Sequence, residues 1–314
     1  MLLKCGTHGL EVALRATPYS SENFTWTTIL NYSTFDNLVT KLNVSPMNNP
    51  GEFVTLGGGF VGIQNIAMKG KRLGTFFGYG WLRDNNGDIL YSGDKIRTET
   101  APDGSTIYFK DENGTELLDD WGIGLKGAPM QNPDQIVIGD ANPDFQLSWR
   151  NDFTLFKDFT IGFLWDMVWG FDVWNGTRGA LYNFGTHGDT EDRNDPWFNF
   201  AGNPVVDPDG NQATKEYYYR YYGNGFYINE PHVQDGSYIK LRELTFEYRW
   251  RGLEDWKINS IVFNFSARNL FVYAPNYTGY DPEVNTFSAA EGRGFDYFTL
   301  PQVRSYRFGI SLIY

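Results

Sequence analysis

Apolar and polar residues alternate with a period of two along much of this chain. In DFQLSWRNDFTL, Phe145, Leu147, Trp149, Phe153 and Leu155 share one parity, broken only by Asn151, while Gln146, Ser148, Arg150, Asp152 and Thr154 take the other. Successive strand side chains point to opposite faces, so this spacing predicts a two-sided β-strand and excludes an amphipathic helix. The same rule fits four more segments. Ile261, Phe263, Phe265 and Ala267 oppose Val262, Asn264, Ser266 and Arg268. Tyr306, Phe308, Ile310, Leu312 and Tyr314 oppose Ser305, Arg307, Gly309 and Ser311. Phe24, Trp26, Leu30 and Tyr32 share a face, and Leu10, Val12 and Leu14 oppose Glu11 and Arg15. In YIKLRELTFEYRW the apolar parity switches between Leu241 and Leu244, a one-residue slip that predicts a β-bulge near Arg242 and Glu243. Segments around Phe159–Trp165, 60–68 and 74–82 complete a set of nine predicted strands.

Alternation alone fits a soluble β-sandwich, but length argues otherwise. Sandwich strands run about five or six residues, whereas tilted strands that cross a bilayer need roughly 9 to 11, and most of these segments are of the longer kind. The connections at 18–21, 69–73, 155–157 and 251–256 are short, and those at 35–58, 83–143, 171–237 and 269–302 are long. This alternation is expected of an outer-membrane barrel, with short turns at one rim and long loops at the other. Arg or Lys at mid-depth on a lipid-facing parity costs about 2–4 kcal/mol, and in the clearest strands the cations take the other parity. Nine strands begin and end running in the same direction, so they cannot close with an antiparallel seam; unpaired edges are not tolerated in a membrane, and the expectation is a part of a larger barrel.

Composition agrees with a strand-and-turn protein: 314 residues with 25 Phe, 20 Tyr, 10 Trp and 35 Gly, and only 20% charged. A net charge of −12 without a basic run disfavours nucleic acid as a partner. The single Cys5 cannot form an internal disulfide. No apolar window of about 18 residues predicts a helical span, and the first 20 residues do not read as a signal peptide.

The blocks GSYIKLRELTFEY, FNFSARNLFVYAPNYTGYDPEVN and GRGFDYFTLPQVRSYRFGISLIY resemble the C-terminal end of the SusC/RagA-type TonB-linked outer-membrane transporters. VIGDANPDFQLSWRNDF, DFTIGFLWDMVWGFDVWNGTR and RLGTFFGYGWLRDNNGDILY resemble the preceding barrel segments of that family, in the same order, so that the resemblance spans nearly all of residues 1–314. It implies an all-β fold in which about nine long antiparallel strands belong to a barrel of roughly 22. It also implies an N-terminal plug, a TonB-contacting segment and a SusD-like surface lipoprotein; plug and TonB segment have no counterpart in these residues. The implied function is import of oligosaccharides or peptides across the outer membrane, without catalysis and without a cofactor. Phe308, Ile310, Leu312 and Tyr314 resemble the terminal-strand signal read by the outer-membrane assembly machinery through edge pairing. The competing readings are a secreted β-rich glycan-binding module or glycosidase, and a self-closing passive porin.

His8, His187 and His232 lack paired ligand spacing, which disfavours a zinc or His-based site. DNNGD at 84–88 superficially suggests calcium, but its glycine is misplaced and Lys95 stands where a bidentate Glu belongs, so a hairpin turn is expected. DPDG at 207–210 and EDRND at 191–195 read as turn or solvated loop, with loop calcium or sugar contacts as the alternative. The aromatic residues of the long loop 171–237 are the candidate substrate surface, because ring faces stack on sugars at barrel mouths. Trp174, Trp197, Tyr218, Tyr221 and Tyr222 are the residues assigned to it, within a run that includes Tyr217 and Tyr219; loop packing is the alternative role.

Overall fold

The computed structural model describes residues 3–43, 53–111, 113–252, 257–286 and 292–314. Its largest element is a seven-stranded sheet in which sequence neighbours pair antiparallel: Leu3–Ser20, Phe24–Leu42, Phe145–Leu155, Phe159–Trp169, Tyr238–Trp250, Ser260–Tyr273 and Ser305–Ile313. All seven are among the nine predicted strands. The other two, at 60–68 and 74–82, do form strands, Ile63–Met68 and Thr75–Trp81, but these belong to a separate four-stranded sheet with Phe53–Phe60 and Gln131–Asp140. The cause is visible in their burial. Ile63, Ile66, Ala67, Phe76 and Phe77 are buried on both parities, so the one-sided segregation that marks a wall strand is missing.

Because the displaced strands form a pair, the alternation of connections survives their removal. The wall strands are joined by short links at 21–23, 156–158 and 251–259 and by three long excursions at 43–144, 170–237 and 274–304. Of the expected short connection at 251–256, residues 253–256 lie outside the described residues, as do 44–52 and 287–291 of two expected loops.

Cross-strand register places the apolar parities of all seven strands on one face. Val12 sits opposite Tyr32, Tyr32 opposite Leu147, and Leu147 opposite Met167, which faces Ile239. Farther along the wall Phe246 faces Phe265, and Phe265 faces Phe308. No second layer of described residues covers this face: Leu10 is 56% and Phe308 80% exposed. Aromatic pairs stand towards both rims, Phe24 and Trp26 against Phe153 near the short links and Tyr32 against Phe145 near the excursions, as in the aromatic girdles of membrane barrels. Asn151, the one polar interruption, is buried there and accepts a hydrogen bond from the Trp26 indole at 2.9 Å.

The predicted bulge is present. Pairing shifts between Leu241 and Glu243 on one side and between Leu164 and Trp165 on the other, leaving Arg242 without a register partner. The extra residue turns Arg242 to the polar face. There Arg150 is bonded to Asp152 and Glu243, and Arg268 to Glu243. The wall keeps two free edges, those of its first and last strands, which run in the same direction.

The excursions are folded. They contribute the four-stranded sheet, a three-stranded sheet of Lys95–Thr100, Thr106–Lys110 and Thr115–Glu116, and a small sheet of Val233–Asp235, Asp172–Asn175 and Phe295–Asp296, and three buried clusters join them into a cap. Arg72 ties this cap to the wall: its guanidinium donates to Asp140, to the carbonyls of Asn142 and Pro143, and to the carbonyl of Phe35 on the second wall strand. The segment 69–73, expected to be a barrel turn, is therefore a cap hairpin docked on the wall.

The facing of the last strand makes a direct prediction. In the full-length protein Phe308→Arg places a cation on the apolar face at a cost of about 2–4 kcal/mol and blocks assembly, whereas Arg307→Ser, on the polar face opposite Ser266, assembles normally. Heat-modifiable gel mobility reads both; equal assembly of the two variants overturns the facing.

Candidate functional site

The cap holds all five aromatic residues assigned from the sequence, but they do not form one surface. Trp174 is fully buried in a cluster with Ile63, Phe76, Ala141 and Phe295, its ring edge-on to Phe295. Trp197 and Tyr222 are buried in a second cluster with Trp81, Leu125 and Ile228. Tyr218 packs on Trp197 and Phe200 and is half-buried. Tyr221, half-buried like Tyr218, lies in a row of partly accessible rings, stacked against Tyr217 and tilted against Trp121, which meets Tyr227 edge-on with ring centroids 4.4 Å apart. Tyr227 is 48% exposed. Trp121 comes from the first excursion, 100 positions before Tyr221 in the second, so nothing in the local pattern joins it to the tyrosine run. A signal existed in LDDWG, a tryptophan set in turn-type sequence.

Beneath this row the second excursion contains a polar interior. Helix Gly176–Asn183 starts where the Asn175 side chain accepts from the Arg178 amide at 3.0 Å, which satisfies one of the free donors at a helix start. The helix directs Arg178 and Tyr182 to Asp189, and both donate to its carboxylate. The Tyr182 hydroxyl, with Arg178 and His187, holds Asp189 below the usual carboxylate range. Asp192 of the EDRND run binds Lys215 and accepts from the Tyr219 hydroxyl, so this acid serves packing. His187 and His232 flank the Tyr182 ring at 5.0 and 5.6 Å. Burial lowers the His232 imidazole to about 4 against an opposing hydrogen bond with the Gly223 carbonyl. DNNGD is a hairpin turn, in which the Asp84 carboxylate accepts from the amides of Asn86 and Asp88. In DPDG, Asp207 does the same for Asp209 and Asn211. Among the described residues no three His, Cys, Asp or Glu converge as metal ligands.

A second charged constellation fixes the third excursion to the wall. Lys240, nearly fully buried, bonds Asp281 at 2.6 Å and also Glu283. Arg242, freed by the bulge, bonds Glu283 and Asp166, and Gln302 closes the other end of the excursion onto Glu283 at 3.0 Å. Burial works against the charge on Glu283, yet the hydrogen bonds from Arg242 and Lys240 prevail and hold its pKa at about 2. The YDPEVN block noted in the sequence is thus the anchor by which cap and wall are joined.

No family model matches the chain. Two curated relatives from Formosa agariphila do. TonB-dependent receptor P3 is 27% identical over 316 residues, covering 97% of this chain and 28% of the relative. TonB-dependent receptor P39 is 26% identical over 333 residues, covering 97% and 30%. Among solved structures, the RagAB peptide importer in its closed-closed state matches with a TM-score of 0.59 at 14% identity, over 99% of this chain and 30% of that one. A second RagAB peptide transporter structure gives 0.56 at 13% identity, over 99% and 30%. The chain spans less than a third of the length of these relatives. The chain shares the fold of the matching part of the RagAB structures and is similar along nearly its whole length to proteins named TonB-dependent receptors, which bears out the resemblance to SusC/RagA-type transporters.

Two outcomes follow from the site. Lys240→Ala leaves the buried Asp281 without its cation and Glu283 with Arg242 alone, costs about 3–5 kcal/mol, and exposes the third excursion to proteolytic nicking in the folded full-length protein. His232 is neutral when folded and has an ordinary pKa of about 6.5 when unfolded. The unfolded state therefore binds the extra proton, and cap stability falls by up to about 3 kcal/mol as pH drops from 6.5 to 4. Hydrogen exchange of residues 170–237 should quicken across that window in the wild type and much less in His232→Phe.

Proposed function

We propose that the chain forms part of the barrel and the extracellular cap of an outer-membrane TonB-dependent transporter that imports oligosaccharides or peptides. The observation that carries this reading is the wall itself: seven antiparallel strands with one continuous uncovered apolar face, short links at one rim and folded excursions at the other. Hydrocarbon accepts such a face, because each Phe or Leu turned to lipid keeps the roughly 1.5–3 kcal/mol gained on leaving water. The curated relatives named as TonB-dependent receptors, and the RagAB structures described as a peptide importer, support it. In this reading the missing barrel strands pair with the two free wall edges, a plug fills the lumen, TonB drives its displacement, and a SusD-like lipoprotein closes over the cap. No bond of the cargo is broken. Phe308, Ile310 and Leu312 lie on the apolar parity of an edge strand whose outer side is free, with Tyr314 directly after it, which suits the assembly signal.

The substrate surface is the accessible row of rings. Tyr221 belongs to it directly and Tyr218 backs it. Trp197 and Tyr222 support it from the core, and Trp174 holds the neighbouring cluster that seats the second excursion.

Uptake by cells expressing the full-length receptor with its lipoprotein partner tests the proposal. Import of a labelled oligosaccharide or peptide mixture should fall at least about tenfold when TonB is deleted and cargo should arrive chemically intact. TonB-independent uptake would favour a passive pore, and cleavage by the purified receptor would favour a glycosidase.

A further inference from the structure

The net charge of this chain is carried by its cap. The three excursions hold 28 acidic and 14 basic residues, whereas the rest of the chain holds 10 acidic and 12 basic. Within the cap the cations are largely committed: Arg83 pairs with Glu230, Lys110 with Asp94, Lys126 with Glu116, Arg178 with Asp189 and Lys215 with Asp192. That pairing is close to one to one, and Asp281 and Glu283 draw Lys240 and Arg242 from the wall, so most of the remaining excess is uncompensated carboxylate.

The accessible aromatic row sits in this field. Tyr217, Tyr221, Trp121 and Tyr227 are joined ring to ring, and Trp121 directly follows Asp119 and the exposed Asp120. Asp119 is committed to the amides of Ile123 and Gly124, which hold the turn, while Asp120 accepts only from the Gln131 amide. Both carboxylates are near enough to the ring cluster that, after burial, their charge helps to push up the ionisation of the Tyr222 hydroxyl. Elsewhere the cap already seats cations on rings, with Arg178 4.8 Å from the centre of Tyr182 and Arg97 5.0 Å from that of Phe109.

We infer that the row formed by Tyr221, Trp121 and Tyr227, with Asp120 beside it, receives ammonium or guanidinium groups, and that the cargo is a peptide carrying Lys or Arg side chains. Ring faces are negative and attract cations, and an acidic mouth concentrates cationic ligands and repels polyanions. A cationic peptide satisfies both features at once; an uncharged glycan uses only the rings, and an anionic one is opposed by the field. This inference rests on the transporter reading for its biological setting.

The test uses the full-length receptor with its lipoprotein partner in detergent, and trilysine, triglutamate and cellotetraose as probes. Trilysine should bind at least about tenfold more tightly than either other probe at low salt and lose most of that advantage in 0.5 M NaCl. Trp121→Ala should weaken trilysine binding about tenfold and Asp120→Asn about threefold. Tyr227→Leu, at a half-exposed position where bulk is retained, should weaken it several-fold without disturbing the fold. Equal affinity for the three probes, preference for cellotetraose or triglutamate, or insensitivity to both Trp121→Ala and Tyr227→Leu overturns the inference. Heat-modifiable mobility and bilayer insertion of the same preparations report separately on the transporter reading.

Discussion

Everything in this molecule depends on one sheet that is apolar on a single face, a face that no second layer of described residues covers. In water such a surface is a liability, because several hundred Å² of contiguous apolar area drives association. In hydrocarbon it is stable, provided that the backbone groups of every strand are paired. Period-two patterning meets the first requirement and the antiparallel ladder meets the second, except at the two outer edges. Those edges run in the same direction, so the seven strands need further strands between them to close.

The same constraint explains where charge is placed. Most cations and acids of the wall occupy the polar parity, where Arg150, Asp152, Glu243 and Arg268 neutralise one another. The bulge at Arg242 keeps this rule intact, because without the extra residue the apolar parity of one half of that strand would turn inward. The freed guanidinium then serves as the anchor for Glu283 and the third excursion. A local irregularity in pairing thus sets the position of a segment that contributes Phe295 to the cap core some dozen residues farther on.

The cap is constructed on a different principle. The strands of its four-stranded sheet include Ile63–Met68 and Thr75–Trp81, buried on both faces, its cores are rich in aromatic rings, and many of its polar groups bond one another, as in the chain from Arg178 through Tyr182 to Asp189. It behaves as a small globular layer fastened to the wall by Arg72 at one place and by Lys240 and Arg242 at another. In the proposed transporter the division matters for function, since there the wall is confined by the bilayer while the cap is free to carry acidic charge and exposed rings.

The sequence by itself determined the wall: seven of its strands, their facing, the bulge and the alternation of short and long connections all follow from a strict period of two, which a one-sided environment imposes residue by residue. It also marked the YDPEVN block and the turns at Asp84 and Asp207. Tertiary structure alone decided the fate of 60–68 and 74–82, because strands buried on both faces lose the segregation that assigns them to a sheet. It likewise decided which aromatic residues are surface and which are core. Trp174, Trp197 and Tyr222 are buried while Tyr227 is exposed and Trp121 half-buried, and burial of a ring depends on which distant excursion packs over it rather than on its neighbours in the chain.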